Sequence, residues 1–203
     1  MHNSLIIQNI LDVNNNDWNN FVNCHPNATV FQTTDYLHLH TKQFNSKFFG
    51  YAAIKDGEIR GVISGVIFYN YFFPVSCFTR RAILIGGPLI DGNDLVICEA
   101  LLKHLIMELR HKAIYIQFRN LWKMECYRSI FEEIGFTYEP HLDILHDLTV
   151  DCESIKSKVS KNKRGNINKS INKGLLFYEV TDGEEYKQCV DLIIQTYQRI
   201  GLP

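Results

Sequence analysis

The chain has no two cysteines close enough to form a CxxC pair. Cys24, Cys77, Cys98, Cys126, Cys152 and Cys189 are scattered singly through apolar surroundings. That spacing argues against a disulfide framework and fits reduced thiols in a cytosolic protein. Long hydrophobic runs are also missing. The longest, GVIFYNYFFPVSCF over 65–78, is too short to span a bilayer and contains Asn70 and Pro74. The first residues, MHNSLIIQNILDVNNND, lack a basic stretch and a long apolar core, which excludes a secretory signal. There is no low-complexity tract, no flexible linker and no evident repeat. Nor is there a Gly-x-Ser-x-Gly elbow or a Ser-His-Asp order, so no covalent nucleophile is indicated.

What is present reads as a globular protein. A hydrophobic content of 46% with 21% charged residues excludes global disorder, and 203 residues suffice for one good-sized domain or one domain and part of another. The net charge of −1 argues against a nucleic-acid coat, whose basicity would be widespread. The stretch FGYAAIKDGEIRGVISGVIF, 49–68, predicts a hairpin turning at Asp56-Gly57. A strand is expected over 80–90, ending near Gly86-Gly87-Pro88. Asn93-Asp94 then cap a helix to about His111. AIYIQF, 113–118, reads as a strand buried on both faces, and 121–134 as a short helix closed by Gly135. FTYEPHLDILHDLTV, 136–150, reads as a long strand, GLLFYEV, 174–180, as another, and Glu184 to Ile200 as a helix. Short helices are expected over 17–23 and 34–43. The sum is a mixed α/β sheet, largely antiparallel in its first half.

The charge is unevenly placed. The segment KSKVSKNKRGNINKSINKG, 156–174, holds Lys156, Lys158, Lys161, Lys163, Arg164, Lys169 and Lys173 and no acid. Outside it, 14 basic residues stand against 22 acidic ones, a balance of about −8. On a helical wheel Ile155, Val159, Ile167 and Ile171 share a side, with Lys163 in the middle of it. A buried unpaired lysine is costly. Either the helix breaks near Gly165, or Lys163 and Arg164 point into a cleft that supplies an anion. A solvated helix face, capture of a phosphate-bearing ligand, and RNA binding without aromatic stacking are the three readings of the cluster.

Taken together, SKVSKNKRGNINKSINKGLLFYEV and EEYKQCVDLIIQTYQRIGLP resemble the Fem-type aminoacyltransferases that build peptidoglycan interpeptide bridges, a branch of the GNAT-related acyltransferases. WNNFVNCHPNATVFQTTDY, the hairpin, ILIGGPLI, IYIQFRN and GFTYEPHLDILHDLTV agree in order. So does the K-x-x-R-x-x-I-x-K spacing of Lys161, Arg164, Ile167 and Lys169. The resemblance covers nearly the whole chain. It implies a GNAT-like sheet, a first domain over 1–173 and the start of a second, truncated one over 174–203. It implies aminoacyl transfer from aminoacyl-tRNA to the stem peptide of a peptidoglycan precursor, in the cytoplasm at the inner membrane face, with no cofactor and no metal. The precursor's diphosphate would be held by Lys161, Arg164 and Lys163, with Lys42 on the other side of a cleft. Gln32 and Tyr36 are lining candidates, and buried packing is the alternative for Tyr36. No catalytic residue is assigned.

Two departures qualify this. The chain stops where the second domain would begin. The CoA-type pyrophosphate loop, Gln/Arg-x-x-Gly-x-Gly/Ala, is replaced by GGPLIDGND, in which Gly86 and Gly87 read as a bulge or tight turn. The alternatives are therefore an acetyl-CoA-dependent N-acetyltransferase and a non-catalytic module for phosphate ligands or RNA. Asp143 or Asp147 would serve as a general base, or else line a plain polar strand face. His38 with His40, and His141 with His146, lack a carboxylate or Cys at ligand spacing for zinc. His104 and His111 read as solvent-edge residues of one helix, the latter suited to its C-terminal dipole.

Overall fold

The computed structural model describes residues 5–42, 45–69, 78–142 and 147–201. The contacts divide the chain into two compact units, Met1–Pro140 and His141–Pro203.

The first unit is built on one sheet. Its strands are β1 (Ile6–Asn9), β2 (Ser46–Lys55), β3 (Glu58–Phe68), β4 (Arg81–Ile85), β5 (Leu89–Ile90) and β6 (Tyr115–Arg119). Their order is β1-β2-β3-β4-β6, with β5 paired to β3 beyond the end of β4. Every pairing is antiparallel except β4 with β6. The helices are α1 (Asn15–Cys24), α2 (Thr34–Leu39), α3 (Leu95–Leu109) and α4 (Arg128–Ile134). This is the mixed, largely antiparallel, helix-flanked architecture expected from the sequence.

The hairpin forms as expected. Asp56 and Gly57 both take positive φ, 56° and 81°, the pair a primed two-residue turn requires. Strand alternation then splits the apolar residues between two faces. One face sends Tyr51, Ala53, Ile63, Ile67, Ala82 and Leu84 against Leu101, Leu102 and Leu105 of α3. The other sends Ala52 and Val62 against Trp18 and Val22 of α1 and Leu37 of α2. Three sequence expectations need correction. β6 is half-buried, not buried on both faces: it has only β4 as a neighbour among the described residues. Its Ile116 and Phe118 turn to the α3 side, while Tyr115 and Arg119 are exposed. The helix expected from 121 starts only at a 3-10 turn, Glu125–Tyr127. Residues 136–142 and 147–150, read as one long strand, contain no strand; Asp143 and His146 lie outside the described residues.

The second unit holds α5 (Cys152–Lys158), α6 (Lys161–Asn172) and α7 (Gly183–Ile200). The expected strand over 174–180 is absent, because no described strand offers it a ladder. The helix break lies at Val159, where the backbone is extended, and not at Gly165. Ser160 and Asp182 cap α6 and α7.

Leu101 is fully buried between α3 and the sheet. Leu101→Ala is expected to destabilise the first unit by about 2–5 kcal/mol, read by denaturant unfolding. A loss under about 1 kcal/mol would contradict this packing.

Candidate functional site

In an α/β sheet the crevice at the carboxyl ends of parallel strands is the usual place for a ligand. Here the parallel pair is β4 and β6, and that end is filled from within. Gly86 extends the ladder by donating its N–H to Arg119 O at 2.8 Å. Gly86 has φ +86°, and a Cβ there would lie 2.3 Å from Gln32 Nε2 and 2.9 Å from the Trp122 ring. At Gly87 a Cβ would meet the Met124 Cε at 2.5 Å. The two glycines thus form a tight turn beneath Trp122 and Met124, with no room for a cradle.

Gln32 is the clamp of this region. Its Nε2 donates to Ile85 O at 2.9 Å, and its Oε1 accepts from Thr29 N and Oγ1 at 2.9 and 2.7 Å. Trp18 Nε1 donates to the Gln32 carbonyl at 2.8 Å. Both ends of the Gln32 amide are used inside the protein. Trp122 and Met124 were not singled out from sequence; the only available signal was an aromatic residue three positions after a strand. The Asn120 Oδ1 beside them is buried and accepts no hydrogen bond among the described residues.

The next position along the chain is closed electrostatically. Asp94, correctly anticipated as a cap, accepts from Val96 N and Ile97 N of α3 at 2.9 and 3.4 Å. Its carboxylate occupies the donors that would otherwise face an anion. Asp91, three residues earlier, is bound to Arg60 at 2.9 Å. A pyrophosphate at this helix start would meet a carboxylate where it needs free N–H groups. These residues do not fit coenzyme A.

Tyr36 is partly buried and lines a cavity of about 20 Å³ with Phe31, Val66, Phe68, Ile83 and Ile85. Burial raises the Tyr36 phenol above its ordinary pKa, so it is a neutral hydroxyl at physiological pH. Its ring meets Phe31 edge-on at 5.0 Å and His40 at 5.2 Å. Buried packing therefore accounts for most of its surface. His40 Nδ1 lies 3.0 Å from Ser46 Oγ, whereas His38 packs on Phe48 at 5.4 Å. The two histidines serve different neighbours. His104, expected at the solvent edge, packs edge-on against Tyr51 at 4.7 Å. Among the described residues no three His, Cys, Asp or Glu side chains are grouped to hold a metal. Lys42 is exposed just beyond α2.

In the second unit, Lys161, Lys163 and Arg164 all fall in the first turn of α6 and are exposed. Helix starts attract acids, because the backbone dipole is positive there. α1 has Asp17, α2 Asp35, α5 Glu153 and α7 Glu184 and Glu185 in their first turns. The first turn of α6 has none, and neither do those of α3, which Asp94 caps, and α4, whose Arg128 pairs with Glu132. No carboxylate among the described residues forms an ion pair with these three cations; Lys156 pairs with Glu153 at 2.8 Å on the preceding helix. Ile167 and Ile171 are half exposed, so Lys163 is not a buried lysine and the helix has no need to break at Gly165. Asp147 lies in this unit. Its carboxylate accepts from Thr149 Oγ1 and N at 2.6 and 2.9 Å, which holds its pKa below the usual range and makes it a weak base.

No family model matches the chain, and no curated protein matches it. Among solved structures, the crystal structure of FemX superposes with a TM-score of 0.63 at 17% identity, covering 97% of this chain and 51% of that one. The chain thus spans about half the length of FemX. At that identity the likeness establishes a shared fold. Aminoglycoside N-acetyltransferase AAC(6')-Iy in complex with CoA matches at a TM-score of 0.49 and 11% identity, covering 73% of this chain and 97% of that one. A transcriptional regulator from Bacillus halodurans C-125 matches at 0.49 and 15%, over 71% and 100%.

Two outcomes follow from the closed crevice and the capped helix. Asp94→Ala is expected to lower stability by about 1 kcal/mol through the lost cap, read as a lower unfolding midpoint. Acetyl-CoA titrated into the chain by calorimetry is expected to give no saturable heat, and stoichiometric binding would contradict the site as described.

Proposed function

We propose that this chain is the precursor-binding half of a Fem-type acyltransferase, taking the diphosphate of a peptidoglycan precursor at the first turn of α6. The observation that carries the reading is that turn. Three cations stand where the helix dipole already disfavours them, and no acid among the described residues pairs with them. A doubly charged ligand supplies the missing counter-charge. The Arg164 guanidinium offers a forked donor pair to phosphate oxygens, and Lys161 and Lys163 add point charges. The fold shared with FemX over 97% of the chain supports the assignment to this class.

In this reading the acyl donor is aminoacyl-tRNA, whose ester is already activated. Transfer to an amine then needs positioning and removal of one proton, with no covalent enzyme intermediate. The group that takes the proton would belong to a partner domain. The work would be done in the cytoplasm, at the inner membrane face. No helix of the described residues is long and apolar enough to cross a membrane. The same reading makes 1–173 a first GNAT-like domain and 174–203 the opening of a second.

Calorimetry with a UDP-linked muropeptide tests the proposal. Binding is expected to be saturable, and Arg164→Ala is expected to weaken it about 10-fold or more through the lost charge-assisted hydrogen bonds. Lys42→Ala tests separately whether the first unit shares in the ligand. Binding of uncharged tRNA that falls steeply with salt, alongside indifference to the muropeptide, would instead identify a non-catalytic RNA module.

A further inference from the structure

Folding does not account for the run of asparagines at the start of α1. Asn14 caps the helix, its Oδ1 accepting from Asn16 N at 2.8 Å. One cap suffices, and asparagine is a poor helix former, so the helix gives no reason for Asn15 and Asn16 to follow. Their side-chain amides make no hydrogen bond among the described residues, and neither do the two N–H donors of Asn14 Nδ2. All three asparagines line an open cavity of about 400 Å³, together with His38 of α2 and the apolar Ile10 and Leu11. Ile10 is buried and Leu11 is 74% exposed. A cleft of this size is within the range of small-molecule sites, about 300–1,000 Å³.

The walls of the cavity are held in place from within. Asn19 Nδ2 donates to Thr34 Oγ1 at 2.7 Å, and Thr34 N donates back to Asn19 Oδ1 at 3.0 Å. This reciprocal pair clamps α1 to α2. Trp18 Nε1 of α1 also donates to the Gln32 carbonyl, just before α2. The His38 ring is set by its edge-on packing on Phe48, and its nitrogens make no hydrogen bond among the described residues. The free amides and the imidazole thus stand on two helices whose separation is fixed before any ligand arrives. Such preorganisation lowers the ordering cost of binding.

The donor set selects the ligand. No Lys, Arg, Asp or Glu lines the cavity, and the exposed Asp12 and Asp17 flank its asparagines in the sequence. A phosphate would find no cation there, and a hard metal ion no carboxylate. An amide side chain offers both N–H donors and a carbonyl acceptor, and a neutral imidazole offers one of each. A hydroxyl group needs the same combination. An extended peptide calls for a strand edge to pair with, whereas groups set on two helices suit a ring with hydroxyls around it. We infer that this cavity is a site for an uncharged saccharide: a pyranose ring whose hydroxyls bond to Asn15, Asn16 and His38 and whose C–H face lies on Leu11. The inference is independent of the phosphate ligand at α6 and of the acyl-transfer reading, so each can fail alone.

An NMR titration of the isotopically labelled chain with glucose, N-acetylglucosamine and the disaccharide N,N′-diacetylchitobiose tests it. At least one of the three is expected to give saturable shifts in the side-chain amides of Asn14, Asn15 and Asn16 and in the backbone amides of residues 10–16. Several-fold tighter binding of the disaccharide would assign the site to the end of a glycan chain, and equal binding would assign it to a free sugar. Replacing both residues, Asn15→Ala with Asn16→Ala, is expected to weaken binding about 10-fold or more, and His38→Ala about 3-fold or more. Asn15 and Asn16 hold nothing within the protein, so the unfolding midpoint of the double variant is expected not to fall, and its lost binding reports the site. Three results would overturn the inference: no saturable shift with any of the three sugars at tens of millimolar, saturable shifts that fall elsewhere on the chain, or an affinity unchanged in both variants.

Discussion

Three positive side chains share the positive end of one helix dipole, with no acid paired to them among the described residues. This is the constraint around which the functional account is arranged. Like charges crowded into one helical turn repel each other and the dipole alike. Folding alone gives no reason to retain Lys161, Lys163 and Arg164 together. The chain caps its other long helices with Asn14, Asp94 and Asp182, and places acids in the first turns of α1 and α7. α3 and α4 also lack a first-turn acid, but α3 is capped by Asp94 and Arg128 of α4 pairs with Glu132, whereas the cations of α6 have no ion-pair partner among the described residues, and an external anion would remove that cost.

The first unit shows the complementary condition. The crevice at the carboxyl end of its parallel strand pair is stopped by internal bonds. Gly86 continues the parallel ladder, Gln32 spans from Thr29 to Ile85, and Trp122 and Met124 lie on the glycine turn. The helix start that follows is saturated by Asp94. A sheet of this class thereby keeps its stability while giving up the place where a pyrophosphate-bearing cofactor would sit. In the proposed reading, recognition falls to the cationic turn.

Much of the first unit was legible because its signals were local. Asp56-Gly57 dictates a primed turn, Asp94 caps α3, and Gly135 closes α4, each through backbone geometry that short sequence fixes. The misreadings all concern tertiary context. AIYIQF has the composition of a doubly covered strand, but coverage depends on what lies across the sheet, and Tyr115 and Arg119 face outward. GLLFYEV has strand propensity and no partner to pair with. β1 was missed because IIQN is short and gains its conformation from the β2 ladder. Gln32 was picked out for a site, yet a residue's type does not reveal that both ends of its amide are engaged at Thr29 and Ile85. The basic turn was visible as composition. Its position at a helix start, which gives the charge its physical meaning, depended on the break at Val159.

The central claim is that the first turn of α6 is a site for a doubly charged anion. The most direct measurement is an NMR titration of the isotopically labelled chain with inorganic pyrophosphate. The account predicts saturable shifts confined to the amides around Ser160–Asn166, lost in a chain where Lys161 and Arg164 are both replaced by alanine. Shifts spread evenly over surface lysines, or none below the concentrations that screen charge generally, would contradict it.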